Sequence, residues 1–195
     1  MGDTYTFGSY EQDNNNSNGK EAIKWKVIAK EGTKILVISK YALDCQKYNT
    51  SYTTSVTWET CTLRKWLNNE FLSSAFSEGE QAMIPSVTVS ADENPHYSTN
   101  PGNATQDKVF LLSITEANKY FSPDSARQCK TTEYAVANGV WGSDTGNCWW
   151  WLRSLGDRQD CAACVVSTGC IAAYGYSVNI SDRAVRPALW IDLNS

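Results

Sequence analysis

Histidine is nearly absent. The chain of 195 residues holds one, His96, so a Ser–His or Cys–His nucleophilic pair has almost nothing to be built from. Long apolar runs are missing as well. No stretch reaches about 18 apolar residues, so no transmembrane helix is expected. The start, Met1-Gly2-Asp3-Thr4-Tyr5, shows no basic segment followed by an apolar one, and no signal peptide is expected there. Positive charge is not in excess. The 17 Lys and Arg face 21 Asp and Glu, giving a net charge of −4 and a pI near 5.0. A general binder of nucleic acid or of anionic membranes needs a basic face, so both partners are disfavoured. No Gly-rich phosphate-cradling loop occurs. The 7 cysteines are odd in number, and positions 45, 61, 129, 148, 161, 164 and 170 match no disulfide framework. Reduced thiols are expected.

What is present describes a folded chain. Hydrophobic residues make up 42% and charged ones 19%, outside the range of disordered sequences. The length suits one domain with a sizeable core. The 8 Trp and 10 Tyr suit a loop-rich fold pinned by large rings, or a binding surface.

Residues 4–10 alternate polar and aromatic side chains as a half-buried strand does. Residues 12–19 are polar and turn-forming. Residues 23–29 and 35–39 read as a β-hairpin closed by a turn at 31–34. Residues 41–52 look irregular. From Trp58 a helical pattern begins, with Leu63, Trp66, Leu67 and Phe71 on one face and Thr57 or Thr60 as cap. A short helix follows through Ala82, Met83 and Ile84, stopped by Pro85. Residues 87–106 read as a long polar loop and 107–112 as a strand. Ser113 and Glu116 have capping-box spacing ahead of a helix reaching Phe121. Residues 127–146 are mixed, with a short helix over 131–138 closed by Gly139. The rest is β: 149–153, two Gly-punctuated segments, and a last strand over 185–191. Helices gathered in the middle of mainly antiparallel strands predict an α+β fold with two main helices in one domain over 1–195.

The last stretch, 149–193, is odd. It opens on Trp149-Trp150-Trp151 and closes on Ala184-Val185-Arg186-Pro187-Ala188-Leu189-Trp190. Between 157 and 183 there is no Lys, Glu, Met or Trp, where about five would be expected from usage elsewhere in the chain. The same run holds Cys161, Cys164 and Cys170.

Several blocks together resemble a known family: Tyr5-Thr6-Phe7-Gly8-Ser9-Tyr10, Ile23-Lys24-Trp25, Leu63-Arg64-Lys65-Trp66-Leu67-Asn68, Asp107-Lys108-Val109-Phe110-Leu111-Leu112-Ser113, Trp150-Trp151-Leu152-Arg153-Ser154 and Val185-Arg186-Pro187-Ala188-Leu189-Trp190. In their order, and with the composition of the last stretch, they are similar to the variable proteins of diversity-generating retroelements, a bacterial and phage family with a C-type-lectin-like fold. The resemblance implies a scaffold over 1–148 and a C-terminal β region over 149–195 whose codons are rewritten at template adenines. An asparagine codon randomised at both adenines reaches Cys, Tyr, Asp, Arg, Ile, Ala, Val, Ser, Thr and Gly, but not Lys, Glu, Gln, Met or Trp. That matches the run, with Gln159 as the exception and therefore an invariant position. The implied variable, ligand-binding positions are Asp157, Arg158, Asp160, Cys161, Cys164, Val166, Thr168, Cys170, Ala172, Tyr174, Tyr176, Ser177, Asn179, Ile180, Ser181, Asp182 and Arg183. The implied fixed positions are Ala162, Ala163, Val165, Gly169, Ile171, Gly175 and Val178. Gly169 and Gly175 would supply turn dihedrals. Val165, Ile171 and Val178 would point inward, while Cys164, Val166, Cys170 and Ala172 occupy the other side of the pleat.

Other chemistry weighs less. Cys161 and Cys164 with Cys170 have zinc-like spacing, but no fourth ligand is evident and His96 lies in a distant loop. The sugar-binding motifs of C-type lectins are missing; Glu93-Asn94-Pro95 has the wrong order. Glu78 and Glu80 fit a helix start. Trp149 to Trp151 offers a stacking platform or alternates between core and flank. Arg153 and Arg186 suit buried pairing that braces the surface. The expectation is a binding protein without catalysis, metal or cofactor. Tyr174 and Tyr176 would contact a protein or cell-surface ligand, on a cell surface or a virion. The alternatives are a formylglycine-generating type of enzyme using Cys161 or Cys164, and a non-variable lectin-like interaction module.

Overall fold

In the computed structural model the described residues are 3–141 and 146–194. Met1, Gly2 and Ser195 lie outside them, as do residues 142–145, so the mixed stretch at 127–146 is placed in part. The strands are β1 Thr4–Tyr10, β2 Glu21–Glu31, β3 Lys34–Ser39, β4 Asp44–Cys45, β5 Val87–Val89, β6 Thr105–Asp107, β7 Val109–Phe110, β8 Trp150–Leu155, β9 Cys161–Val165, β10 Ile171–Ser177, β11 Ala184–Val185 and β12 Ala188–Asp192. The helices are α1 Thr62–Trp66, α2 Leu72–Ala75, α3 Glu78–Met83, α4 Ile114–Tyr120 and α5 Glu133–Ala137. The fold is mixed α+β, with short helices and mostly antiparallel sheets. Among the described residues no helix is long and apolar enough to cross a membrane.

Two five-stranded sheets carry the molecule. One runs β1-β2-β3-β12-β7 and the other β10-β9-β8-β11-β4, with β5 and β6 as a separate pair. Every neighbouring pair is antiparallel except β11 against β8. The β2–β3 hairpin forms as the apolar pattern predicts, and Leu36, Val37 and Ile38 are buried. Burying side chains of this size stabilises by about 1.5–3 kcal/mol each.

The final strand does not form in one piece. Pro187 has no N–H for a ladder, and the chain leaves β11 in one sheet to enter β12 in the other. Arg186 sits at this crossing, fully buried, with its Nε donating to the Ser39 carbonyl at 3.0 Å. The Ser39 amide returns a bond to the Pro187 carbonyl at 2.9 Å. One proline therefore splits the predicted 185–191 strand and stitches both sheets at that point.

The helix predicted from Trp58 starts later. Thr57 and Thr60 use their hydroxyls within their own turn, and Cys61 caps α1 by accepting from the Arg64 amide. A π-helical turn, Leu67–Phe71, joins α1 to α2. Leu63, Leu67 and Phe71 are buried and Trp66 only partly. Asn68 in that turn accepts from the Lys108 and Val109 amides and donates to the Val109 carbonyl. The predicted 107–112 strand is thus divided at Lys108, with Asp107 ending β6 and Val109–Phe110 forming β7. The loop predicted over 87–106 is pinned at both ends, where β5 pairs with β6.

The predicted capping box forms. Ser113 accepts from the Glu116 amide and Glu116 accepts from the Ser113 amide at the start of α4. A second box, Ser77 with Glu80, opens α3, and Glu80 also accepts from the Gly8 amide in β1. All six residues of β8 are buried. Trp150 and Trp151 bond inward, to the Arg127 and Gln46 carbonyls.

Candidate functional site

The 157–183 run forms β9, β10 and the turns around them. Gly169 closes the β9–β10 turn with φ +91°, and a Cβ there would lie 2.0 Å from the Asp124 carbonyl oxygen. Gly175 has φ +75° where the β9–β10 register shifts, and a Cβ would lie 2.7 Å from the Ala162 carbonyl oxygen. Both positions therefore require glycine. Beneath them Ala162, Ala163, Val165 and Val178 are fully buried, and Ile171 packs partly on the core.

The predicted one-face variation of β9 does not hold. β9 is the inner strand between β8 and β10, and all five of its residues, which point alternately to the two faces, are buried. A strand enclosed on both faces has no solvent side of the pleat. Among the implied variable positions Asp160, Cys161, Cys164, Ala172 and Arg183 are buried. Asp157, Arg158, Thr168, Cys170, Tyr174 and Ser181 are exposed. Val166, Tyr176, Ser177, Asn179, Ile180 and Asp182 are half-buried.

Two surface clusters involve these residues, while exposed Thr168 and Cys170 lie apart at the β9–β10 turn. The first is aromatic. Tyr174 and Tyr176 share a hydroxyl bond of 2.7 Å, and the Tyr176 ring lies 5.2 Å from that of Trp149. Trp149 in turn meets Trp141 edge-on at 6.0 Å. The Arg183 guanidinium stacks 4.4 Å from the Trp149 ring and 4.7 Å from the Tyr176 ring, the geometry of cation–π contacts. Its Nη1 donates to Asp182 at 2.6 Å. Trp141, Trp149, Asp182 and Arg183 line a recess of 220 Å³. Two enclosed donors beside it, Trp149 Nε1 and Arg183 Nε, have no partner among the described residues. Burial and then the Tyr174 hydroxyl push the Tyr176 phenol up to about 12, so it stays a neutral donor at physiological pH.

The second place is polar. Tyr52, which is exposed, donates to Asp160 at 2.7 Å. Arg158 Nε reaches the same carboxylate at 2.9 Å. The Tyr52 hydrogen bond, with Arg158, holds Asp160 below the usual carboxylate range. The loop between β5 and β6 borders this area. Asn94 donates to the Leu155 and Ala173 carbonyls, Thr99 to the Gly156 carbonyl, and Gln159 back to the Val56 and Asn100 carbonyls.

The cysteines do not converge. Cys161 lies against Asp160 and Arg158, while burial pushes the Cys164 thiol up to about 12, with Arg183 as its charged neighbour. Cys170 is exposed and bonds to Asp124. Three residues apart on a strand, Cys161 and Cys164 face opposite sides. Among the described residues, the group whose potential ligand atoms do come together is Glu11, Asp13 and Glu21, within 4.8 Å of one another. Backbone amides of the adjoining loop bind these carboxylates.

Arg153 and Arg186 are both buried as predicted; Arg153 pairs with carboxylates, whereas Arg186 bonds to the Ser39 and Arg127 carbonyls. Arg153 joins Glu116, Asp92 and the Leu111 carbonyl, tying β8 to α4 and to the loop beyond β5. Sequence reasoning missed Tyr52 and Trp141, which approach from distant segments, and the covering loop, whose contacts go mostly to backbone carbonyls. Trp149 was marked by its place in the tryptophan run. Of the three rings there, it alone reaches the surface.

No curated protein matches the chain, and no solved structure does. One family does match, over residues 32–193, from the β2–β3 turn to just past the end of β12. The chain thus belongs to the DUF6273 family, a domain of unknown function.

Proposed function

We propose that this chain is a non-catalytic ligand-binding protein of the diversity-generating-retroelement type, built on a C-type-lectin-like fold. Its binding surface is the solvent side of 157–183, and it recognises a protein or cell-surface ligand. The observation that carries this reading is the patch of Tyr174, Tyr176, Trp149 and Arg183. There the exposed Tyr174 ring packs on the half-buried Tyr176 ring and that on the half-buried Trp149, in a segment whose Ala162, Val165 and Val178 are fully buried. Tyr and Trp give large contact area at small entropic cost, as they do in antibody paratopes. The unpartnered donors of Trp149 and Arg183 fit the same reading, since enclosed polar groups ordinarily find a partner. A thiol-based enzyme finds less support, because Cys161 and Cys164 have separate neighbours and burial raises both thiols.

The coding DNA tests the proposal. A nearby imperfect repeat of the codons for 150–190, differing at adenines and lying beside a reverse transcriptase gene, is the expected finding. Adenine-independent differences, or no repeat in the complete genome, would overturn it. The buried variable positions sharpen the test. Codons for Asp160, Cys161, Cys164, Ala172 and Arg183 should differ from the template less often than those for Asp157, Thr168, Tyr174 and Ser181.

A further inference from the structure

A second recess, of 430 Å³, opens between β2, the end of β3 and the segments at 125–130 and 147. Among the described residues, those that line it include none of 157–183 and no acidic side chain. Lys26, Lys40 and Lys130 do line it, with Tyr41 and Gln128. Among the described residues none of these lysines is in an ion pair. Lys40 rests over the Tyr41 ring at 5.5 Å. Three lysines without an ion pair among the described residues share one concavity in a chain of net charge −4.

More positive charge lies behind them. Arg186 is fully buried, and its Nη2 has no partner among the described residues. Two neighbouring groups register the field. Burial and then the Arg186 charge lower the Lys26 ammonium, and Lys40 adds to this. Burial works to raise the Cys129 thiol, yet its hydrogen bond with Cys148 and the charges of Arg186 and Lys26 bring it below its ordinary value. Like charges held together in a concave, partly dehydrated site focus potential and draw in an anion.

We propose that this recess binds a phosphate group, with the Lys26, Lys40 and Lys130 ammoniums as charged donors and Tyr41 and Gln128 as neutral ones. Charge-assisted bonds to phosphate are the strong class of hydrogen bond. A dianion relieves the repulsion among the lysines, which a neutral ligand does not. The volume exceeds the needs of a bare phosphate and lies within the range of small-molecule sites, so the group is carried on a small organic ester. The site is independent of the proposed binding surface.

Calorimetry at low ionic strength tests this with inorganic phosphate, glucose 6-phosphate and glucose. Saturable binding of glucose 6-phosphate that weakens with added salt is expected, with none for glucose. Lys130→Gln and Lys26→Gln should each weaken it about tenfold. Lys65→Gln, outside the recess, should not. Lys130 is exposed, so its variant keeps the test readable if Lys26→Gln fails to fold. Inorganic phosphate binding as tightly as the ester supports a phosphate site and places free phosphate as the ligand. No saturable binding of either phosphate, or equal binding by wild type and Lys130→Gln, overturns the proposal.

Discussion

Arg183 and Asp160 are charged residues with little exposed surface, and each is kept by specific company. Arg183 has two aromatic faces and Asp182; Asp160 has Tyr52 and Arg158. The lowered Asp160 carboxyl stabilises the fold above the ordinary carboxylate pKa of about 3.9, and that contribution is lost as pH falls through its lowered value. Tyr52→Phe removes the largest cause of the shift. The Asp160 carboxyl should then titrate closer to its ordinary value in an NMR pH series; an unmoved titration would show that Tyr52 does not hold it. Backbone geometry sets a second contrast. Gly175→Ala meets both a positive φ and the Ala162 carbonyl oxygen and should cost about 1–3 kcal/mol in denaturant unfolding. Tyr174→Ala, one position away, removes an exposed ring and should stay within about 0.5 kcal/mol. Comparable losses for the two would contradict the division into supporting and surface positions. Gly175 was legible as a backbone requirement because no other residue takes that dihedral freely. The Tyr52–Asp160 bond was not, since 108 residues separate its partners.

Elements held by short-range chemistry were the readable ones. The Ser113–Glu116 box and the β2–β3 hairpin need only a few neighbouring residues to form. The π-helical turn at Leu67–Phe71, from which Asn68 reaches across the fold, and the division of the 107–112 strand at Lys108 are announced by no local pattern. Strand position also decides cysteine chemistry. Six of the seven thiols are buried on strands and at turns, and Cys170 alone is exposed, at the β9–β10 turn. A maleimide or disulfide reagent should therefore label one thiol rapidly in the native protein, at Cys170, and all seven in denaturant. Peptide mapping checks the position. Rapid native labelling at Cys161 or Cys164 would show that β9 is more open than its covered faces imply. Zinc-like spacing in the sequence thus leads to separate environments, because a strand sends residues three apart to opposite sides.

At the scale of the molecule the two ends of the chain depend on each other. β12 lies between β3 and β7, and β4, from the first third of the chain, closes the edge of the sheet that holds β8 to β10. The 1–148 and 149–195 segments are therefore interleaved in both sheets. A chain truncated after Arg186 loses β12, with Leu189 and Ile191 from the core, leaves β3 paired with β2 alone and leaves β7 without a strand neighbour in that sheet. Loss of the cooperative thermal transition and rapid proteolysis are expected; a sharp transition close to wild type would contradict the central role of β12. Sequence alone determined the α+β class, the hairpin, the helix caps and the glycine turns, because those rest on hydrophobic period, side chains three residues apart, and backbone sterics. Only the tertiary structure decided which of the 157–183 side chains reach solvent. Exposure there depends on what packs against the sheet, and the loop after β5 and the Tyr52 segment come from far along the chain. The basic recess over Arg186 was decided the same way. Lys26, Lys40 and Lys130 belong to three segments, and only folding sets their charges side by side.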